Sequence, residues 1–344
     1  MPQLCAPAAW SAPACGYYAP VRSGSEATAD REALDAYGPV GRSEWMDVDW
    51  SAHLRWVRVE DRWMNVLDYG TGSGTPLLFI HGLSGCWQNW LENIPFFARE
   101  HRVLAVDLPG FGQSEMPEKA ISISGYADTI DALMTELDIE TAQIIGNSMG
   151  GFIGAETAIR HSDRVERLVL VAAAGLSIEH VRTERKKGLR HRAENVAFFY
   201  LGWLAPQSDV VARRRRLRTA LMLLVAAHPE KLPPALTIEQ VSGSGKPGFS
   251  DALDAMCDYP LRDRLQHISC PTFIVWGDKD RLVPVRDAAV FEELIPDARS
   301  VVYQDTGHVP MMERPARFNA DVDAFLSEAT ETRDPQTGAR EYAA

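Results

Sequence analysis

Ile144-Ile145-Gly146-Asn147-Ser148-Met149-Gly150-Gly151 is the stretch on which the reading of this chain turns. An apolar run suited to a buried strand passes through Gly-x-Ser-x-Gly into 149–160, where apolar residues recur at helical spacing. Glycines at 146 and 150 remove Cβ atoms where strand and helix must approach closely, so the chain can turn sharply and push a strained serine out over the sheet. Ser148 then sits at a helix N-terminus. Gly-x-Ser-x-Gly recurs by chance; the strand before it and the helix after it give it weight here.

On either side of that stretch, further short apolar runs at 77–80, 103–106, 168–171 and 272–276, with a last strand at 300–303, alternate with amphipathic stretches at 87–100, 126–137, 285–294 and 315–326. Continuous apolar strands separated by helices predict a parallel sheet covered on both faces. Ahead of them, 55–59 and 63–67 alternate around a charged turn and read as an antiparallel opening pair. The strand–helix rhythm stops between 176 and 259, where the chain turns helical and rich in arginine and aromatics, and this block reads as an inserted cap within a core of 45–175 and 260–330. Residues 1–44 read as a flexible extension rich in Ala, Pro, Ser and Gly, and 331–344 as a loose polar tail.

A serine hydroxyl is nearly inert at neutral pH and needs a base, which in turn needs a third group to fix its tautomer. The C-terminal third supplies both kinds of residue. Gly277-Asp278-Lys279-Asp280 follows the strand 272–276, and Asp305-Thr306-Gly307-His308-Val309-Pro310 follows the strand 300–303. Catalytic groups of open α/β sheets gather at the carboxyl ends of the strands.

With these residues in place, the chain resembles the α/β-hydrolase superfamily over about 50–328, in the order Ser148, Asp280, His308. The resemblance implies a mostly parallel eight-stranded sheet with helices on both faces and an inserted helical cap. In relatives with Gly-Asp-x-Asp the second aspartate is the acid, which selects Asp280; Asp278 is its local competitor. Some members take the acid from the end of the preceding strand, but 171–175 offers no carboxylate. The resemblance also assigns the oxyanion hole to the backbone N–H groups of Leu83, in the loop His81-Gly82-Leu83-Ser84-Gly85, and of Met149. His81 has a structural role in that loop, and Asp107-Leu108-Pro109-Gly110-Phe111-Gly112-Gln113-Ser114 matches the family's turn beside the site.

What these features imply is a serine hydrolase cleaving a carboxylic ester or related acyl bond through an acyl-enzyme. A serine at the elbow speaks against the dehalogenases and epoxide hydrolases of the superfamily, whose nucleophile is aspartate. Two rival readings stand beside it. Gly-Asn-Ser-Met-Gly-Gly also resembles the elbow of hydrolases that cleave carbon–carbon bonds of vinylogous diketo acids, although the oxyanion loop matches theirs poorly. The other is a non-catalytic ligand-binding protein on the same scaffold, against which the complete set of reacting groups argues.

The rest of the sequence narrows the partners. A formal charge of −12 over 344 residues speaks against a general nucleic-acid binder. The arginine-rich runs at 182–187 and 213–218 read as solvated helix faces, and Phe198, Phe199, Tyr200 and Trp203 as pocket lining or cap core in roughly equal measure. The five cysteines, an odd number without Cys-x-x-Cys spacing, suggest neither a disulfide framework nor a zinc site. No run reaches the roughly 18 apolar residues of a membrane span, and the start lacks the pattern of a signal peptide. The expectation is a cytoplasmic enzyme of a small-molecule substrate, with no metal, cofactor or membrane partner, and with monomer or homodimer left open.

Overall fold

The computed structural model describes residues 34–177, 208–243 and 247–328, together with the short strands Thr332–Arg333 and Arg340–Glu341. Eight strands form one sheet: β1 (Leu54–Val59), β2 (Arg62–Tyr69), β3 (Leu77–Ile80), β4 (Val103–Val106), β5 (Ala142–Asn147), β6 (Val165–Val171), β7 (Thr272–Gly277) and β8 (Ala298–Tyr303). Their order is β1-β2-β4-β3-β5-β6-β7-β8. The pairs β1–β2 and β2–β4 are antiparallel and all others parallel.

Side-chain alternation along the central strands divides the core in two. Leu78, Ile80, Ile144, Leu168, Leu170, Ile274 and Trp276 pack on one face, against the helices Ile123–Glu136, Met149–Arg160 and Arg286–Leu294. Leu77, Phe79, Ile145, Val169, Val171, Phe273 and Val275 pack on the other, with Trp90, Phe97 and the helix Pro315–Leu326. Because both faces are covered, these strands read as continuous apolar runs rather than as alternating ones. This is the α/β-hydrolase fold that the resemblance implied.

Where the sequence predicts one amphipathic helix over 87–100, the chain instead makes a 3-10 turn at Trp87–Trp90 and a separate short helix at Ile94–Phe97. Pro95 has no N–H to continue a helix and suits a helix start. Buried Asn93 turns its amide away to the carbonyl of Met311 and to Asn319 Oδ1, at 3.1 and 2.8 Å. The end of the expected flexible extension also departs from expectation: residues 34–44 pack onto the body. The Tyr37 hydroxyl donates to Glu313 at 2.6 Å, and Ser43 Oγ donates to Glu92 at 2.8 Å. In the expected loose tail, Thr332–Arg333 pairs antiparallel with Arg340–Glu341.

Between β6 and β7 the chain forms the helices Ser208–Arg213, Arg215–Met222, Pro234–Gly243 and Phe249–Asp258. The run 182–187 and the aromatics Phe198, Phe199, Tyr200 and Trp203 lie outside the described residues. In the second basic run, Arg213 to Arg216 are exposed, but Arg218 is buried and donates to Thr237 Oγ1 and the Ala212 carbonyl. No described helix is long and apolar enough to cross a membrane, and the described residues hold no cluster of three or more His, Cys, Asp or Glu that could bind a metal ion.

Candidate active site

Register aligns the carboxyl ends of the central strands. Ile80 lies beside Gly146, Asn147 beside Val171, Val171 beside Val275, and Gly277 beside Tyr303. The residues that follow β3, β5, β7 and β8 therefore emerge along one edge of the sheet.

Ser148 occupies the turn between β5 and the helix Met149–Arg160 with φ 55° and ψ −115°, a left-handed conformation that costs a non-glycine residue about 1–3 kcal/mol. Hydrogen bonds on both sides hold it there. Its N–H donates to the Val171 carbonyl at 2.9 Å, while its carbonyl accepts from Ala174 at 3.0 Å and Phe152 at 3.1 Å. The two flanking glycines are sterically required. A Cβ on Gly146 would lie 2.3 Å from the Gly150 carbonyl oxygen, and one on Gly150 would lie 2.1 Å from that of Ile80.

Asp280 and His308 come from the loops after β7 and β8 and meet directly, His308 Nδ1–H donating to Asp280 Oδ2 at 2.7 Å. Asp280 Oδ1 accepts the N–H groups of Leu282 and Val283 at 2.8 and 2.9 Å, and its side chain is fully buried. With the proton on Nδ1, Nε2 of His308 is left as an acceptor, the form a general base needs. Asn147, the residue before Ser148, donates its side-chain amide to the His308 carbonyl at 3.2 Å and so ties the loop after β8 to the turn at Ser148. The competitor Asp278 faces elsewhere, accepting the Thr306 N–H at 3.3 Å and pairing with Lys279.

The loop after β3 lies against the serine: a Cβ on Gly82 would be 3.1 Å from Ser148 Cβ. The N–H groups of Leu83 and Met149 have no hydrogen-bond partner among the described residues. Met149, the first residue of its helix, carries one of the amides that a helix start leaves without an intrahelical acceptor. His81 is buried. Its Nε2 accepts the Leu108 N–H at 3.0 Å, its Nδ1–H donates to the Gly82 carbonyl at 2.7 Å, and burial holds its pKa below the ordinary histidine value. It is a neutral cross-link, as expected of that loop. Asp107 accepts from the Trp87 N–H, the Asn65 side chain and the Gln113 N–H, which makes it the organiser of the turn 107–114.

Two buried carboxylates escaped the sequence reading. Glu156, in the elbow helix, is fully buried and held by Arg264 at 2.8 and 3.0 Å and by the Tyr259 hydroxyl. Glu313 accepts the Gly307 N–H at 2.9 Å, the Val309 N–H at 3.3 Å, the Ala227 N–H at 2.8 Å and the Tyr37 hydroxyl, and burial pushes its pKa up. Neither residue lies in a stretch whose local pattern marks it out: the partners of Glu156 are distant in sequence, and Glu313 joins nearby Gly307 and Val309 to the distant Ala227 and Tyr37.

Comparison with known proteins agrees with this architecture. A family model for the alpha/beta hydrolase fold matches residues 75–315. The 2-hydroxymuconate semialdehyde hydrolase of Pseudomonas sp. (strain CF600) is 31% identical over 276 residues, spanning 76% of this chain and 90% of its own. Among solved structures, the meta-cleavage product hydrolase of Pseudomonas fluorescens IP01 is similar at a TM-score of 0.62 and 26% identity, over 80% of this chain and 98% of that one. A thermophilic esterase from Thermogutta terrifontis matches at a TM-score of 0.62 over 79% of this chain and 97% of its own; at 23% identity, that likeness bears on the fold alone. On the extent of the family match and the sheet it covers, the chain belongs to the alpha/beta hydrolase fold family.

Proposed function

We propose that this hydrolase cleaves a carboxylic ester or related acyl bond, with Ser148 as nucleophile, His308 as general base and Asp280 as the acid that orients it. The observation that carries the reading is the buried Asp280–His308 pair, 2.7 Å apart, at the sheet edge where Ser148 sits in its left-handed turn. Ser148 Oγ attacks the carbonyl carbon as His308 Nε2 takes its proton. The oxyanion is held by the Leu83 and Met149 amides, each worth roughly 3 kcal/mol in such a site. His308 returns the proton to the leaving group, and water then releases the acid by the same steps in reverse. The insertion of 176–259 serves as the cap over the site, the substrate is a small molecule, and the enzyme works in the cytoplasm.

A second reading has its own support. The relative from Pseudomonas sp. (strain CF600), 31% identical over 90% of its length, is named for the hydrolysis of 2-hydroxymuconate semialdehyde, which favours carbon–carbon cleavage of a vinylogous diketo acid by the same groups.

Pre-steady-state release of p-nitrophenol from short-chain esters tests the mechanism. The expected result is a burst that Ser148→Ala abolishes and His308→Ala strongly slows. A burst that survives Ser148→Ala would sink the assignment, and turnover of the diketo acid without ester turnover would move the enzyme to the second reading.

A further inference from the structure

The base loop is held by more than its acid. Its three successive amides all have acceptors: the Gly307 N–H donates to both oxygens of Glu313 at 2.9 Å, the His308 N–H to the Val225 carbonyl at 2.7 Å, and the Val309 N–H to Glu313 Oε1 at 3.3 Å. Glu313 Oε2 also accepts the Ala227 N–H at 2.8 Å and the Tyr37 hydroxyl at 2.6 Å. Val225 and Ala227 follow the helix Arg215–Met222 and so belong to the insertion between β6 and β7. The Tyr37 hydroxyl in turn accepts the His228 N–H at 2.8 Å. One carboxylate thus joins the base loop, the insertion and the N-terminal segment.

The packing leaves little slack. A Cβ on Gly307 would lie 2.7 Å from the Val225 carbonyl oxygen and 2.8 Å from the Ala227 nitrogen, and one on Gly277 would lie 2.1 Å from the Gly307 carbonyl oxygen. The base loop is wedged between the end of β7 and the backbone of the insertion, so a displacement of the insertion reaches His308 directly. Among the described residues no cation pairs with Glu313. Its charge is balanced by hydrogen-bond donors alone, a role that only a group accepting at both oxygens can fill.

We propose that Glu313 is a positioning residue for His308, and that through its carboxylate the seating of the helical insertion sets the alignment of the base. This rests on the assignment of His308 as the base of Ser148. A glutamine at this position carries one acceptor and one donor. With its oxygen toward Gly307 and Val309, its NH₂ faces the Ala227 N–H and uncouples the insertion; turned round, it releases the base loop. Either orientation loosens His308, and misplacement by about 1 Å costs on the order of 10²-fold in rate.

The test is the rate at which an ethyl fluorophosphonate probe labels Ser148, read by mass spectrometry, together with kcat and KM on a p-nitrophenyl ester. Glu313→Gln should label on the order of 10²-fold more slowly than the parent and lose kcat with KM nearly unchanged. Arg264→Ala, which weakens a buried ion pair away from the base loop, controls for lost stability and should label at the parent rate. If Glu313→Gln does not fold, Tyr37→Phe, which removes one donor to the same carboxylate, should show a smaller loss in the same direction. Parent-like labelling of Glu313→Gln, or of Tyr37→Phe in its place, overturns the proposal. So does slowing that tracks melting temperature equally in Arg264→Ala. A folded parent that labels nowhere at Ser148 removes the underlying assignment of the nucleophile, and this proposal falls with it.

Discussion

Replacing Asp280 by asparagine probes the candidate site at its most buried contact. The carboxylate accepts three donors: the Leu282 and Val283 N–H groups on Oδ1, and His308 Nδ1–H on Oδ2. An asparagine can satisfy only one side. Turning its NH₂ toward Leu282 and Val283 would leave two amides without an acceptor, at about 1–3 kcal/mol each if they stay buried. Keeping its oxygen there sets its NH₂ against His308 Nδ1, at the cost of one contact. The second arrangement wins, and it forces Nδ1 to accept. The proton moves to Nε2, which becomes a donor and can no longer act as the base in the proposed mechanism. In a serine-protease triad the same wrong tautomer costs about 10⁴-fold in kcat, or about 5 kcal/mol of transition-state stabilisation. We expect a loss on that order in kcat on p-nitrophenyl esters, with the fold intact by circular dichroism and Asp278→Asn within a few-fold of the parent. A loss below about tenfold for Asp280→Asn would refute the reasoning, and a large loss for Asp278→Asn would give the role of the acid to Asp278 instead.

Three further outcomes follow from contacts elsewhere. Gly150→Ala places a Cβ 2.1 Å from the Ile80 carbonyl oxygen and 2.6 Å from that of His81, both backbone atoms with no easy retreat; it should cost about 3 kcal/mol or more in urea unfolding, and a parent-like midpoint would refute the close approach. Arg264→Ala leaves the buried Glu156 with the Tyr259 hydroxyl as its remaining partner and should destabilise by about 2 kcal/mol, toward the low end for a broken pair because Arg264 is partly exposed, with kcat unchanged. Burial pushes the Asp68 pKa up, but hydrogen bonds from Arg102 and Arg55 outweigh it and hold the net value below 3.8. The folded pKa is therefore the lower one, so the stabilisation is present above the unfolded value and is lost as pH falls through the folded value. Asp68→Asn should be less stable than the parent at pH 7, with the gap closing below about pH 4 in thermal melts; a gap independent of pH would refute the linkage.

The parts of the fold legible in the sequence are those whose cause is local. The strands 77–80 and 103–106 are wholly apolar because helices cover both sheet faces, and the observed β3 and β4 have those same bounds. Gly146 and Gly150 could be read in advance because the clash they avoid lies within the turn or against the adjacent strand. The helix predicted over 87–100 failed for the opposite reason. Its apolar spacing persists through 93–95, but Asn93 is drawn to Met311 and Asn319, more than two hundred residues away, where no window of sequence could register them. The same holds for residues 34–44, whose composition resembles a loose segment and whose order comes from Glu313 and Glu92.

The candidate site divides along the same line. Ser148, Asp280 and His308 were each marked by a loop motif at the end of a strand, yet nothing in those motifs states how the loops meet. That is set by the sheet. Gly277 lies beside Tyr303, and the pairing continues past the strands, with the Asp278 N–H donating to the Tyr303 carbonyl at 3.0 Å and the Lys279 N–H to that of Thr306 at 2.8 Å. These bonds carry the β7–β8 register into the loops, so that Asp280 and His308 arrive opposite one another. A slip of one residue would move His308 by roughly 3.3 Å along the strand and reverse every side chain on it, breaking a 2.7 Å contact that has no room for such a shift. Close packing of the wholly buried β7 and of Tyr303 at the end of β8 resists such a slip, and so helps to set the geometry of the Asp280–His308 pair as well as stability. Glu313 adds the constraint that register cannot supply: it ties the loop that carries His308 across the gap to the insertion, where no strand pairing reaches.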